Sequence, residues 1–278
     1  MTIREALRLA AARLEQAGVP DADVDVAYLL ASVLKEDTLA MRINGHRELA
    51  APQRAAFDAL CDRRAAREPL QYILGETEFM GLTFHVEPGV LIPRADTETL
   101  VEKALEWMKP GARVLDIGTG SGAIAVSLAK LGRQAQVTAV DVSDRALEIA
   151  RQNAKRNGAA VEFVKSDCFS ALKGRKYDMI VSNPPYISED EMRGLMPEVT
   201  REPELALFGG ADGLDFYRRI SREAPEYLNE GGCLLFEIGW LQKDAVSALV
   251  KAHIGEPFAL RDYGQNWRVV GARKEGAC

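Results

Sequence analysis

Val114-Leu115-Asp116-Ile117-Gly118-Thr119-Gly120-Ser121-Gly122 runs from an apolar segment straight into three alternating glycines, and the helical pattern Ala123 to Leu131 follows at once. A buried strand from Arg113 to Ile117, a tight turn and a helix are the reading that fits. Glycines at such a turn let the backbone approach a ligand, and the helix N-terminus offers unpaired N–H groups to an anion. Further short apolar runs follow at Gln136 to Asp141, Val161 to Lys165, Tyr177 to Ser182 and Cys233 to Ile238, with helical stretches between them. Strands alternating with helices predict an α/β fold with a doubly wound, mostly parallel sheet. The tail, Phe258 to Tyr263 and Trp267 to Gly271, reads as a final hairpin.

Upstream the period changes. Ile3, Leu7, Ala10, Leu14 and Ala17 recur at helix spacing until Gly18-Val19-Pro20 stops them. Asp21 is placed to cap a second helix striped by Val26, Leu29, Leu30, Val33 and Leu34, and Pro52 to Arg67 reads as another. Between Thr77 and Leu91 the shorter period of Phe79, Leu82, Phe84 and Val86 predicts a hairpin. The expected organisation is a small helical domain over 1–75, a hairpin connector over 76–95 and the α/β domain over 96–278.

Whole-chain properties narrow the function. The 278 residues carry a net charge of −6, with acidic and basic groups spread evenly, which argues against a general phosphate-binding surface. Cys61, Cys168, Cys233 and Cys278 lie far apart, as do His46, His85 and His253, so no metal site or disulfide framework is readable. Unpaired cysteines, no charged-then-apolar leader and no apolar stretch of spanning length predict a cytoplasmic protein without membrane attachment. A monomer is the expected state.

The glycine spacing separates two cofactors. A dinucleotide fingerprint wants a glycine three residues after Gly120, but that place holds Ala123, and the third glycine comes early at Gly122. This G-x-G-x-G pattern resembles the motif of S-adenosylmethionine methyltransferases, in the Rossmann-like class I fold. Gly118, Thr119, Gly120, Ser121 and Gly122 are then the candidate cofactor loop. Asp141, ending the next strand, is suited to accept from ribose hydroxyls. After the third strand Asp167 can accept from an adenine amine, while Cys168 and Phe169 can pack its ring.

Asn183-Pro184-Pro185-Tyr186 follows the strand Tyr177 to Ser182 and so lies at the ligand-binding edge of such a sheet. Asparagine offers a carbonyl acceptor and an NH2 donor. The prolines fix their own φ and lack N–H, which presents the Pro184 carbonyl from a stiff backbone. Tyr186 adds a flat ring for stacking. These groups suit a planar nitrogen whose lone pair is delocalised, an amide or an aryl amine. The Asn183 oxygen and the Pro184 carbonyl can each accept one N–H and bind more strongly as positive charge develops. Asn183, Pro184 and Tyr186 are the candidate catalytic residues, and all four residues the candidate substrate grip.

Several segments together carry a closer likeness: Leu91-Ile92-Pro93-Arg94 with Thr97-Glu98, the glycine loop, Ser182 to Ile187, Pro197-Glu198-Val199, Leu207 to Tyr217, and Glu237-Ile238-Gly239. Over nearly its whole length the chain resembles the release-factor glutamine methyltransferase (PrmC/HemK) family. That resemblance implies methylation of the side-chain amide nitrogen of the glutamine in the Gly-Gly-Gln motif of peptide-chain release factors, with S-adenosyl-L-methionine as methyl donor. It also implies that the helical domain engages the release factor, that Gly118 to Gly122, Asp141 and Asn183 contact the cofactor, and that Thr97 and Glu98 close over it. Two positions depart from the pattern: Cys168 stands where relatives often have an aromatic ring, and Ala95 replaces a proline. One rival is a methyltransferase acting on the exocyclic amine of adenine in DNA or RNA, which would have to flip the base out. The acidic balance and the Leu207 to Tyr217 segment weigh against it and against stable nucleic-acid binding. A second rival is a non-catalytic S-adenosylmethionine-binding partner of translation factors.

Overall fold

A computed structural model describes residues 1–274; Cys278 and the three residues before it lie outside them. The chain divides into two compact units, one of Met1–Gly75 with Met196–Arg201, the other of Glu76–Leu195 with the remainder from Glu202.

The first unit is helical: α1 (Ile3–Gln16), α2 (Ala22–Leu34), α3 (Thr38–Ile43), α4 (Ala51–Ala65) and α5 (Leu70–Leu74). Thr2 starts α1 with a capping box, its hydroxyl accepting from Glu5 N while its own N–H donates to Glu5 Oε2. Asp21 precedes α2 but does not cap it. Its backbone is left-handed, at φ 52°, and its carboxylate makes no capping bond. The short α3 and α5 carry too few apolar repeats to be legible as helices in sequence. Ile3, Leu14, Leu29, Leu30, Met41 and Phe57 form the core.

One ionic cluster crosses this unit. Arg64 is buried on α4, donating from Nε to Asp25 Oδ2 at 2.6 Å and from Nη1 to Glu198 Oε1 at 2.8 Å and to the Glu68 carbonyl at 3.1 Å. Arg67 grips Glu198 with two parallel bonds of 2.6 and 2.7 Å. Burial alone would raise the Glu198 carboxyl, but the two arginines outweigh it and hold it at about 2. Burial wins at Asp25, whose carboxyl is raised despite Arg64.

The second unit opens with an antiparallel hairpin, β1 (Glu76–Phe79) and β2 (Leu82–His85), followed by α6 (Glu98–Trp107). Then come β3 (Arg113–Ile117), α7 (Ala123–Leu131), β4 (Gln136–Asp141), α8 (Asp144–Asn157), β5 (Val161–Lys165), β6 (Tyr177–Ser182), the short α9 (Glu189–Met192), α10 (Asp215–Tyr227), β7 (Leu228–Glu237), α11 (Lys243–His253), β8 (Phe258–Arg261) and β9 (Trp267–Arg273). The seven-stranded sheet has the order β5-β4-β3-β6-β7-β9-β8, parallel through β7 and antiparallel over the last two. Alternate residues face opposite layers. Val114, Met179, Val181 and Leu235 pack with Phe79, Phe84, Leu100 and Leu128, whereas Leu115, Ile180, Leu234 and Phe236 pack with Tyr217, Ile220 and Val246. The hairpin is thus part of the core of this unit, through Phe79 and Phe84. Among the described residues no helix is long and apolar enough to cross a membrane.

Buried Asn153 on α8 ties the hairpin to the glycine loop. Its Oδ1 accepts from His85 N at 2.7 Å, and its Nδ2 donates to the carbonyls of His85 at 3.0 Å and Ser121 at 2.9 Å. Asn153→Ala strands buried backbone groups and should lower stability by about 2 kcal/mol or more in denaturant unfolding; an unchanged midpoint would contradict this bridge. For Arg64→Ala, which leaves Asp25 buried without its guanidinium, a loss of about 3 kcal/mol or more is expected by the same measurement.

Candidate active site

The registers Ile117↔Val140, Ile117↔Ser182 and Ser182↔Phe236 align the carboxyl ends of β3, β4, β6 and β7. Over this edge opens a cavity lined by Gly118, Gly120, Asp141, Asp167, Cys168, Asn183, Pro184 and Pro185. Eight residues nominated from separate stretches of sequence therefore meet at one place. The loop crosses β4, Gly118 N and Thr119 N both donating to the Val140 carbonyl. At Gly118 and Gly120 φ is 75° and 54°, and a Cβ on either would meet no atom within 4 Å. Backbone is thus bared to open space where a ligand approaches.

Three other loop residues do not line the cavity. Thr119 is buried and donates its hydroxyl to Asp116 Oδ2 at 2.7 Å. Ser121 is buried above Asn153, and Gly122, at φ 82°, is held so close to α8 that a Cβ there would stand 3.0 Å from Ala150 Cβ. Its glycine serves packing. Asp116 itself is fully buried, and desolvation, offset in part by Thr119, pushes its carboxyl up to about 7.

Asp141 is half-buried with both oxygens engaged: Oδ2 accepts from Gly120 N and Oδ1 from Ser143 N, each at 2.9 Å. Burial raises its carboxyl, and these backbone donors pull the other way. Each oxygen keeps a lone pair for a hydroxyl donor. Asp167 is exposed and salt-bridged, Arg219 Nη1 donating to its Oδ1 at 2.6 Å. Cys168 adopts a left-handed φ of 48° and is buried in the cavity lining. Burial pushes that thiol up to about 11, leaving it neutral and unreactive. Phe169 does not reach the cavity; it is buried and stacked on Tyr227 at 4.4 Å.

Tyr186, expected to fix the substrate plane, follows Pro185 in the same loop. It does not line the cavity; its ring packs against the core layer of α10 and α11, and burial holds its phenol far above the ordinary range. Its carbonyl is gripped by Gln242, whose Nε2 donates to Tyr186 O at 2.9 Å and Gly213 O at 3.3 Å while Oε1 accepts from Gly239 N at 3.0 Å. One side chain fastens three loops, and a lone glutamine gives no signal of this in sequence. Gly209 sits against the same loop: a Cβ there would lie 2.7 Å from the Pro185 carbonyl. That close approach is the reason for glycine in the Leu207 to Tyr217 segment. Thr97 is buried beside Asn183, whose Nδ2 donates to Thr97 Oγ1 at 3.4 Å, and Glu98 turns to the hairpin, accepting from Met80 N at 2.6 Å. Neither lines the cavity.

Sequence reasoning missed the loop Gly89-Val90-Leu91 and the pair Phe216 and Ile220 as cavity walls. Glu202 holds that loop, its buried carboxylate accepting from Ile92 N at 2.9 Å and from the Arg94 guanidinium. Beside the cavity, sharing Leu205 and Phe216 with it, opens a second, mainly apolar cleft that includes Phe208. Among the described residues no group of three or more metal-ligating side chains occurs.

A glycine loop over the first strand, an acid ending the next and Asn-Pro-Pro-Tyr at the fourth define a class I S-adenosylmethionine-dependent methyltransferase. Solved structures agree on the fold: a methyltransferase from Pyrococcus furiosus matches with a TM-score of 0.56 at 23% identity, covering 71% of this chain and 91% of its own. A 16S rRNA methyltransferase from T. thermophilus, in complex with AdoMet and guanosine, matches at 0.53 and 21%, over 72% of this chain and 50% of its own. Family models identify a methyltransferase small domain over residues 82–201 and a PrmC N-terminal domain over residues 5–75. The release factor glutamine methyltransferase of Geobacter sulfurreducens is 46% identical over 98% of this chain and 96% of its own length. That of Cereibacter sphaeroides is 43% identical over 100% of both. The chain belongs to the release factor glutamine methyltransferase family.

Asp116 makes stability depend on pH. Its folded carboxyl keeps the proton up to about 7, whereas an unfolded aspartate loses it near 4, so stability falls as pH rises between those values and is level above them. Asp116→Asn should flatten this fall by more than about 1 kcal/mol when unfolding is compared at about pH 5 and pH 8. An unaltered slope would show that Asp116 titrates as an ordinary carboxyl.

Proposed function

We propose that this enzyme transfers a methyl group from S-adenosyl-L-methionine to the side-chain amide nitrogen of the glutamine in the Gly-Gly-Gln motif of peptide-chain release factors. The observation that carries the reading is the single cavity shared by the glycine loop, Asp141 and Asn183-Pro184, in a chain related along its whole length to enzymes of that name. The cofactor, when bound, supplies a methyl group made electrophilic by a sulfonium. Gly118 and Gly120 admit it by their bare backbone, and Asp141 accepts from its ribose hydroxyls with the lone pairs its N–H donors leave free. Asp167 keeps Oδ2 for the adenine amine, between the apolar walls of Val90, Leu91 and Ile220.

Asn183 Oδ1 and the Pro184 carbonyl hold the two N–H groups of the substrate amide, so that its nitrogen lone pair points at the methyl. Both acceptors strengthen as nitrogen becomes positive. Proton loss then follows the transfer and needs no base in contact with the ground state. The apolar cleft of Leu205, Phe208 and Phe216 offers the substrate chain a path to the cavity, and the helical unit engages the rest of the release factor. Tyr186 supports the grip from beneath, bracing the loop. We place the reaction in the cytoplasm, with a monomeric enzyme and no stable nucleic-acid partner, in keeping with the −6 net charge.

With labelled S-adenosylmethionine and a release factor, label should appear on the Gly-Gly-Gln glutamine and vanish when that residue becomes alanine. Label on adenine in DNA or RNA instead would establish the rival acceptor. Asn183→Ala should lower the rate about a hundredfold or more with cofactor binding largely kept, and Asp141→Ala should weaken cofactor binding in calorimetry.

A further inference from the structure

We propose that Glu237, acting through Thr97, fixes which end of the Asn183 carboxamide faces the substrate, making both positioning residues for methyl transfer. The proposal rests on the assignment of Asn183 as substrate acceptor made above, and deepens it.

The parallel register Ser182↔Phe236 places Asn183 and Glu237 at adjacent strand ends. Glu237 is 2% exposed, and its carboxylate is within hydrogen-bonding reach of the Thr97 hydroxyl and the Asn183 amide. Thr97 is itself buried, with Asn183 Nδ2 donating to its Oγ1 at 3.4 Å. A buried carboxylate is costly without a full set of partners. The nearby Arg268 is already committed, to Asp262 Oδ2 at 3.1 Å and Asp96 Oδ2 at 3.0 Å, and Glu237 Oε2 has no hydrogen-bond partner among the described residues. Burial pushes this carboxyl up to about 7, with Thr97, Arg268 and Asn183 pulling the other way, so above that pH it is ionised and accepts on both oxygens.

The use of that charge follows from the symmetry of a carboxamide. Its two ends have nearly the same shape, so the hydrogen bonds of one end decide where the other points. To accept a substrate N–H, Asn183 must present Oδ1, and its Nδ2 must be claimed by acceptors. A threonine hydroxyl can donate or accept, whereas an ionised carboxylate only accepts. Once ionised, Glu237 draws the Thr97 hydroxyl proton toward itself and turns the Thr97 lone pairs to Asn183 Nδ2. The chain acquires one direction, from Asn183 N–H to Thr97 O–H to the Glu237 carboxylate. Reversing it would aim an N–H of Asn183 at the N–H of the substrate.

The full-length enzyme should be assayed at saturating cofactor with a release factor as substrate, comparing Thr97→Val, Thr97→Ser, Glu237→Gln and Asn183→Ala. Melting temperature and S-adenosylmethionine affinity should be measured for each. Thr97→Val and Glu237→Gln are expected to lower kcat about a hundredfold with cofactor affinity unchanged. Thr97→Ser should restore most of the loss, and Thr97→Val should cost nothing further in an Asn183→Ala background. A folded Thr97→Val enzyme with wild-type kcat, or a Thr97→Ser enzyme no better than Thr97→Val, overturns the positioning role while the role of Asn183 stands. Undiminished turnover by Asn183→Ala overturns both. Thr97→Val decides the matter if Glu237→Gln does not fold.

Discussion

In-register parallel pairing of β3, β4, β6 and β7 is the constraint on which the rest of the site depends. Each strand delivers one chemical group at its carboxyl end: bare glycine backbone, Asp141, Asn183-Pro184 and Glu237. A shift of one residue in any pairing would turn that strand's side chains to the other layer and carry its end group away from the cavity. The apolar alternation that fills both core layers therefore also sets the geometry of the chemistry. Nothing in the loops alone could hold four groups from distant parts of the chain in one place.

Around that edge the molecule satisfies loop backbone with buried side chains. Asn153 sits under the glycine loop, Glu202 under the Val90-Leu91 wall, and Gln242 under the Tyr186, Gly213 and Gly239 loops. Each is a polar group whose removal would leave main-chain donors or acceptors unpaired in a dry place. The ligand-facing backbone is stiffened from behind, which keeps the acceptors at fixed positions before substrate arrives. The Leu207 to Tyr217 segment takes part in the same organisation, because Gly209 lies against the Pro185 carbonyl.

The α/β fold was legible because apolar runs and glycines have a local cause: periodicity and positive φ are properties of a few neighbouring residues. The strand Arg113 to Ile117 and the loop after it needed no tertiary information. What sequence left out was decided by direction of side chains. Thr119 and Ser121 belong to the cofactor loop by position, yet point inward to Asp116 and over Asn153. Phe169 promised a flat surface for a ligand, but burial in the core repays a large ring more than exposure at a cavity rim does, while Tyr186 is half-buried and packs against that core. The wall loop Gly89-Val90-Leu91 and the clamp Gln242 were invisible because their partners, Glu202, Gly213 and Gly239, lie elsewhere in the chain.

The helical unit closes on a residue from far downstream, since Glu198 is the counter-ion of both Arg64 and Arg67. During synthesis on the ribosome the first 75 residues emerge without it. Four strands of the sheet, β3 to β6, are made before Glu198 leaves the tunnel. Until then Arg64 has only Asp25 and a carbonyl to answer its charge, so the N-terminal unit is finished after much of the C-terminal one has been translated. The helical unit is therefore not complete when its first 75 residues have been made, but only once residues 196–201 have followed, ahead of the last three strands of the sheet.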